Sequence, residues 1–157
     1  MQDKPQKTVL IVGCGHIGQR VAALLPASRF EVTGIVRSKE SRQRLSVAGV
    51  RAVCLDLDQL EAGTDWGCQS ADIFYFAPPP PAGQQDLRMR AFLDSLGGVM
   101  SVRRIVYIST SAVYGDCRGA WISETQPLNP ATPRGHRRQD AEQQLLAWCG
   151  AQATQWT

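Results

Sequence analysis

The residues with the clearest chemical meaning in this chain form a glycine-rich turn near its amino end, Gly13-Cys14-Gly15-His16-Ile17-Gly18. A β-branched run precedes the turn and apolar residues at helical spacing follow it, so a strand, a tight turn and a helix are predicted in succession. Gly13 permits the turn, Gly15 lets a phosphate approach the backbone, and Gly18 lets the helix pack closely on the strand. The helix start at His16 and Ile17 presents free N–H groups that attract an anion. The turn therefore predicts a pyrophosphate site and a dinucleotide ligand.

Arg37 and Ser38 follow the second predicted strand, at the position where the choice between NAD and NADP is usually made. An NAD site has a carboxylate there for the ribose hydroxyls, whereas an NADP site has cations for the 2′-phosphate. Arg37 offers a bidentate fork, Ser38 a hydroxyl, and Arg42 a second cation one helical turn further on. We therefore expect NADP(H), with NAD as the alternative because Glu40 is close by. S-adenosylmethionine is disfavoured, since Arg37 calls for a phosphate.

Two further segments are predicted to line the cofactor groove. Asp56 comes just after the third predicted strand, where it would lie near an adenine ring or cap the next helix. Ala77, Pro78 and Pro79 follow the fourth predicted strand. The proline run removes N–H donors and stiffens the chain at that point.

The elements that must position these residues alternate between strand and helix along the chain. Strands are predicted at 8–13, 30–36, 50–55, 72–77 and 104–109, and helices at 17–25, 38–48, 85–100 and 134–149. Residues 57–66 form a weak helix or loop, and 154–157 begin a sixth strand. This alternation predicts an α/β fold, a Rossmann-type doubly wound parallel sheet with strand order 3-2-1-4-5. We expect one domain over residues 1–157, incomplete at its carboxyl end and without a substrate domain.

The spacing of apolar residues also predicts which helix faces point inward. The first and third helices are expected to bury Ile17, Val21, Leu24 and Leu25, and Leu87, Phe92, Leu96 and Val99, respectively.

Composition narrows the classes of function. The net charge of +3 rests largely on two short arginine clusters that lack interleaved aromatic residues, so a nucleic-acid partner is not expected. The apolar runs are strand-sized and argue against a membrane partner. The five cysteines are scattered without metal-ligand spacing, so no metal site is predicted and a cytoplasmic protein is expected. An exposed sheet edge, or the helices, would favour a homodimer.

Beyond these features, residues 108–116 (ISTSAVYGD) resemble the extended short-chain dehydrogenase/reductases, which include the NAD-dependent epimerase/dehydratase group. Residues 76–80 (FAPPP), Glu124, 127–130 (PLNP) and 141–143 (AEQ) continue the resemblance over nearly the whole chain. It implies a small-molecule substrate, a carbonyl compound or a nucleotide sugar, whose oxygen Thr110 would hydrogen-bond.

The resemblance also implies a catalytic Tyr and Lys four residues apart at the next helix, where this chain has Arg134 and Arg138. An arginine stays protonated near neutral pH and cannot cycle a proton. Arg138 would still hold ribose hydroxyls, and Arg134 would clamp an anionic group, with His136 or Tyr114 as candidates for proton transfer. Two hypotheses follow: an NAD(P)-dependent oxidoreductase or epimerase-like protein, or a catalytically impaired NADP-binding module that senses redox state or binds a protein.

Overall fold

The computed structural model describes residues 6–61, 63–98 and 100–157. The strands are β1 (Lys7–Val12), β2 (Phe30–Val36), β3 (Arg51–Cys54), β4 (Ser70–Tyr75), β5 (Ser101–Tyr107) and β6 (Gln155–Trp156). The helices are α1 (His16–Ala23), α2 (Lys39–Val47), α3 (Leu87–Leu96) and α4 (Pro133–Gln152). Short 3-10 turns lie at Leu57–Gln59 and Ser111–Tyr114.

The six strands form one parallel sheet in the order β3-β2-β1-β4-β5-β6. The predicted Rossmann-type order of the first five strands is confirmed, and β6 adds to β5 through the pairs Arg104–Gln155 and Ile105–Trp156. The chain order reverses between β1 and β4, which are neighbours in the sheet. Ligands of doubly wound sheets bind at the carboxyl ends of the strands, in the crevice that such a reversal opens.

Both faces of the sheet are packed by helices. On one face, Leu10 of β1, Tyr75 of β4 and Ile105 of β5 are buried against Phe92 of α3 and Leu145 of α4. On the other face, the buried side chains of β1 and β2 contact residues of α1 and α2, in a cluster formed by Val9, Ile11, Cys14, Ala22, Val36 and Leu45. This two-sided burial explains why the β1 strand reads as a continuous apolar run rather than an alternating one.

The predicted inward face of the first helix is correct at Val21 and Leu25, which are partly buried and pack against the cluster around Val9 and Ile11, but wrong at Ile17 and Leu24. Ile17 is 49% exposed and Leu24 is 81% exposed, whereas Gly18 and Ala22 are buried. The reason is the closeness of α1 to the sheet, because a Cβ at Gly18 would lie only 2.9 Å from Cγ2 of Ile11. Small residues therefore define the buried stripe.

The predicted inward face of the third helix is correct at Phe92 and Leu96 but wrong at Leu87, which is 55% exposed. Val99 lies outside the described residues. Leu87 is the first residue of α3, and its neighbour Asp86 takes the buried place as N-cap. An Asp86 carboxylate oxygen accepts a hydrogen bond from the Met89 N–H at 3.0 Å.

Within the described part of the chain, the helices lack the combined length and apolar character needed to span a membrane.

Candidate cofactor groove

Gly13 ties the glycine turn to two strands. Its φ is +79°, and its N–H and that of Cys14 both donate to the Ile35 carbonyl at the end of β2, at 3.1 and 2.9 Å. A Cβ at this position would lie 2.5 Å from the Ala77 nitrogen, in the segment that follows β4. Both the backbone conformation and the close approach therefore require glycine here.

Gly15 differs from Gly13 because the space beside it is open. Its φ is −82°, and no atom lies within 4 Å of the position that a Cβ would take. Gly15 is the N-cap residue of α1, and no side chain caps this helix end. The first-turn N–H groups at His16 and Ile17 are therefore left for an acceptor outside the helix, as at pyrophosphate-binding turns.

Cys14, between these two glycines, is a packing residue. It is 1% exposed, and burial raises the pKa of its thiol to about 11. A Cβ at Gly34 would lie 3.0 Å from the Cys14 sulfur. At neutral pH the thiol is protonated and inert, since the thiolate is the reactive form.

The glycine turn forms one wall of a groove of about 500 Å³ at the carboxyl ends of the strands. His16 and Ile17 line it beside the turn, Arg37 lines it at one end, and Ile108 and Arg138 line it towards the other. The strand reversal between β1 and β4 thus places the groove where a dinucleotide lies in this type of fold.

The cationic end of the groove is built differently from the sequence prediction. Arg37 is joined there by Ser41 and Arg44 rather than by Ser38 and Arg42. The Ser38 hydroxyl is used as the N-cap of α2, where it accepts from the Ser41 N–H at 3.2 Å. Arg44 Nη2 donates to Ser41 Oγ at 2.9 Å.

The reason for this difference is helical geometry. Ser41 and Arg44 are three residues apart on α2 and share one helix face, which turns towards Arg37 at the end of β2, whereas Arg42 lies on another face. Applying the helical period to polar as well as apolar residues would have identified Ser41 and Arg44. Glu40, the carboxylate for which NAD was retained as an alternative cofactor, does not line the groove either.

A second pocket of about 250 Å³ adjoins this end and has a largely apolar lining. Leu55 and Leu57 form one side, while Ala77 and Pro78 form the other. Pro79 is buried behind the pocket rather than lining it. A slot with apolar side walls suits a flat ring such as a nucleobase.

Asp56 fulfils the capping role that the sequence left open, and its place beside the second pocket keeps the adenine role as a prediction. Its carboxylate accepts from the Asp58 N–H at 3.1 Å, which makes it the N-cap of the 3-10 turn Leu57–Gln59. It also lines the second pocket and lies 3.6 Å from Arg37 Nε. With the Arg37 side chain 71% exposed, this ion pair is loose and leaves the guanidinium available to a ligand.

At the other end of the groove, Arg138 is the buried cation. It is 7% exposed, its Nη1 donates to Tyr107 Oη at 2.8 Å, and its guanidinium lies 5.4 Å from the Tyr107 ring centroid. Burial raises the pKa of the Tyr107 phenol to about 12, against the opposing effect of the Arg138 hydrogen bond. Tyr107 was missed in the sequence, although its alternation with Ile105 along β5 marks it as inward-facing.

The two remaining predicted catalytic residues, Thr110 and Arg134, are not among the residues that line the groove. Thr110 is half-buried, and its hydroxyl accepts from the Ala112 N–H at 3.3 Å as the N-cap of the 3-10 turn Ser111–Tyr114. Arg134 is exposed on the first turn of α4 and does not line the groove. Arg134 and Arg138 share one face of α4, four residues apart, but Arg134 lies in the first turn and is exposed, whereas Arg138 lies one turn further along the helix and is buried.

Comparisons with known proteins agree with this geometry. The family model of the NAD binding domain of D-isomer specific 2-hydroxyacid dehydrogenases matches residues 1–67. Protein YeeZ of Escherichia coli is 29% identical in an alignment over 151 residues, and the match covers 88% of this chain and 53% of that protein. This chain thus spans about half the length of the curated relatives it matches.

Two solved structures show the likeness of the fold. UDP-glucuronic acid 4-epimerase from Bacillus cereus, in complex with UDP-glucuronic acid and NAD, superposes with a TM-score of 0.73 at 19% identity. The match covers 96% of this chain and 55% of the epimerase. A short-chain dehydrogenase/reductase superfamily protein from Agrobacterium tumefaciens with bound NAD gives 0.73 at 23% identity, covering 95% and 47%. The fold is that of the NAD-dependent epimerases and short-chain dehydrogenase/reductases.

Proposed function

We propose that this chain binds NADP(H) in the groove and takes part in hydride exchange between the nicotinamide and a carbonyl or nucleotide-sugar substrate. The observation that carries the proposal is the open, uncapped helix end at Gly15, which shares one groove with three polar side chains of the β2–α2 region. The helix end suits a pyrophosphate, and the side chains suit a further phosphate.

The preference for NADP rests on Arg37, Ser41 and Arg44. Two guanidinium groups and a hydroxyl line the same end of the groove, and Arg44 and Ser41 already hydrogen-bond each other. A 2′-phosphate would accept charge-assisted hydrogen bonds from this set, whereas the 2′-hydroxyl of NAD carries no charge for it to recognise. The Asp56 carboxylate near Arg37 favours ribose hydroxyls and keeps NAD binding possible.

The test compares three single variants on the same helix and strand end. Arg37→Gln and Arg44→Gln should each raise the Kd for NADPH by about 10- to 100-fold, since each removes a charge-assisted contact, and should leave the Kd for NADH nearly unchanged. Arg42→Gln is the matched control, because Arg42 is exposed and lies outside the groove lining. Equal losses for NADPH and NADH, or the same loss in the control, would refute the 2′-phosphate site.

For the chemistry, we propose that Arg138 holds the ribose and that Thr110 hydrogen-bonds the substrate oxygen. The bound nicotinamide supplies hydride chemistry. Arg138 is buried on the groove and held by Tyr107, so its charge is set in place before any ligand arrives. A nucleotide-sugar substrate is suggested by the UDP-glucuronic acid that the Bacillus cereus epimerase binds.

A second candidate is a non-catalytic NADP-binding module, and the exposed position of Arg134 favours it. No phenol stands at this position of α4, and Arg134 itself does not line the groove. Transfer of deuterium from 4-deuterated NADPH to a panel of aldehydes and nucleotide sugars distinguishes the two candidates. Transfer abolished by Thr110→Val would support the enzyme, and none at saturating NADPH would support the binding module.

We also propose that the chain self-associates through the sheet edge at β6 or through its helices. The strand is only two residues long, and Trp156 at its end is 36% exposed. Unpaired strand edges are sites of association between chains. Sedimentation velocity over a range of concentrations tests this proposal, and a monomer throughout would contradict it.

A further inference from the structure

Arg88 on α3 joins three segments that are far apart in the chain. Its Nε and Nη2 donate to the two carboxylate oxygens of Asp58, both at 2.6 Å. Its Nη1 donates to the carbonyls of Pro78 and Pro79, at 3.2 and 3.3 Å. The side chain is only 13% exposed, so this set of contacts is held in a low-dielectric setting.

The segments that Arg88 joins are the two sides of the second pocket. Asp58 belongs to the 3-10 turn whose Leu57 lines one side, and Pro78 lines the other. Arg88 itself also lines the pocket. The separation between the two sides is therefore set by one guanidinium group that bonds to both.

The proline segment needs such an anchor. The last ladder bond at the end of β4 is donated by the Phe76 N–H to the Val12 carbonyl, at 2.8 Å. Pro78 and Pro79 have no N–H group with which to continue the sheet. Their carbonyls accept from Arg88 instead, so this side of the pocket is positioned by a side chain rather than by strand pairing.

The charge balance indicates what the pocket takes. The Arg88 guanidinium is paired with the Asp58 carboxylate through two hydrogen bonds. These hydrogen bonds from Arg88 lower the pKa of Asp58. The pair therefore contributes little net charge, and the lining between it and the groove is mostly apolar. Such a slot favours a neutral planar base over a phosphate.

We propose that Arg88 is a positioning residue that sets the width of this slot and thereby its selectivity for an unmodified adenine ring. The inference rests on the proposed dinucleotide binding and adds a residue that would act through the pocket sides rather than by contact with phosphate. Replacing Arg88 with methionine keeps an unbranched side chain but removes all four hydrogen bonds. The slot should then loosen.

The experiment measures the Kd of NAD and of nicotinamide 1,N6-ethenoadenine dinucleotide, whose base is larger, for the full chain and its variants. The unaltered protein should prefer NAD. Arg88→Met should weaken NAD binding by about tenfold, the scale of a lost aromatic packing contact, and should weaken binding of the ethenoadenine analogue less. The ratio of the two Kd values should therefore move towards one.

Controls separate this role from a general loss of structure. Arg90→Met alters an exposed arginine of the same helix that does not line the pocket, and should leave both Kd values unchanged. Arg88→Lys keeps the charge opposite Asp58 but cannot reach both pocket sides with a fork, so it should shift the ratio in the same direction. If Arg88→Met does not fold, as judged by circular dichroism, Arg88→Lys carries the test.

The outcomes distinguish a failure of the role proposed for Arg88 from a failure of the proposed dinucleotide binding. If the unaltered protein binds none of NADPH, NADH and NAD, the proposed function fails. If it binds NAD but the folded Arg88 variants keep the same ratio of Kd values, the role of Arg88 is overturned while the proposed function stands. A uniform loss for both dinucleotides would also overturn it.

Discussion

Replacing Gly15 with alanine adds a single methyl group where the groove meets the amino end of α1. The new Cβ has no protein atom within 4 Å, and the φ of −82° suits alanine, although the ψ of −145° lies just beyond the extended region. The protein itself therefore has room for the methyl group. The space that it fills is the space through which a pyrophosphate would approach the first-turn N–H groups.

The expected rise in the Kd for NADPH follows from the hydrogen bonds to the pyrophosphate that the methyl group would block. Hydrogen bonds to charged groups are worth about 1.5–3 kcal/mol each, so losing one raises the Kd for NADPH by roughly 10- to 150-fold. The folded state loses no contact, but alanine is a weaker N-cap than glycine and must adopt this ψ, so the free energy of unfolding should fall by about 1 kcal/mol. For a chain of this size that corresponds to a fall in Tm of about 2–4 °C.

Gly13→Ala provides the contrast within the same turn. Its φ of +79° disfavours alanine, and its Cβ would lie 2.5 Å from a backbone nitrogen. The strain and the overlap together should cost roughly 2–5 kcal/mol of stability, or a Tm lower by about 4–20 °C. We therefore expect one glycine to serve ligand approach and the other to serve the fold.

The assay combines isothermal titration with NADPH and thermal unfolding of the unliganded protein for both variants. We expect Gly15→Ala to lose affinity with only a small fall in Tm, and Gly13→Ala to show the larger fall in Tm. Unchanged affinity in Gly15→Ala would refute the placement of the pyrophosphate at this helix end. A large fall in its Tm would refute the view that the space beside Gly15 is open.

Two further predictions concern buried polar groups. Burial raises the pKa of Asp86 above its ordinary value of 3.8. The folded state therefore holds this proton more tightly than the unfolded chain does. As a result, the Asp86 contribution to the free energy of unfolding should fall as pH rises above about 3.8 and through the folded pKa. Asp86→Asn, which can still cap α3, should lack that fall in urea unfolding measured from pH 3.5 to 7; an unaltered slope would contradict the assignment. Tyr107→Phe keeps the ring but leaves Arg138 Nη1 without its acceptor, so urea unfolding should show a loss of about 1–3 kcal/mol, and no loss would show that the bond is unimportant.

The fold and the phosphate-binding turn could be predicted from the sequence because both depend on short-range rules. A β-branched run, a turn that needs positive φ, and a helix that must approach a strand closely are local features. The order of the parallel strands then follows from right-handed crossovers and short connections. The sequence also predicted Arg37 as a residue of the cofactor groove, and the structure places Arg37 on the groove lining at the end of β2.

The same reasoning misplaced residues wherever packing decided the outcome. Large apolar residues at helical spacing predicted the buried face of α1, but the short distance to the sheet makes Gly18 and Ala22 the fully buried residues there, with Val21 and Leu25 at the edge of the contact. At the start of α2, the sequence predicts that the Ser38 hydroxyl contacts the cofactor, but in the structure this hydroxyl caps the helix. In both cases a geometric demand of the fold overrode the chemical or apolar character of the side chain.

By itself the sequence determined a Rossmann-type sheet, a glycine turn open to pyrophosphate, and a cation at the end of β2. Only the tertiary structure decided that Arg44 joins Arg37, that Tyr107 holds Arg138, and that Arg88 bridges two pocket sides. Arg88 and Asp58 are 30 residues apart, and Arg138 and Tyr107 are 31 apart. Such partners meet because helices pack on a sheet in a particular register, and no periodicity along the chain encodes that distance.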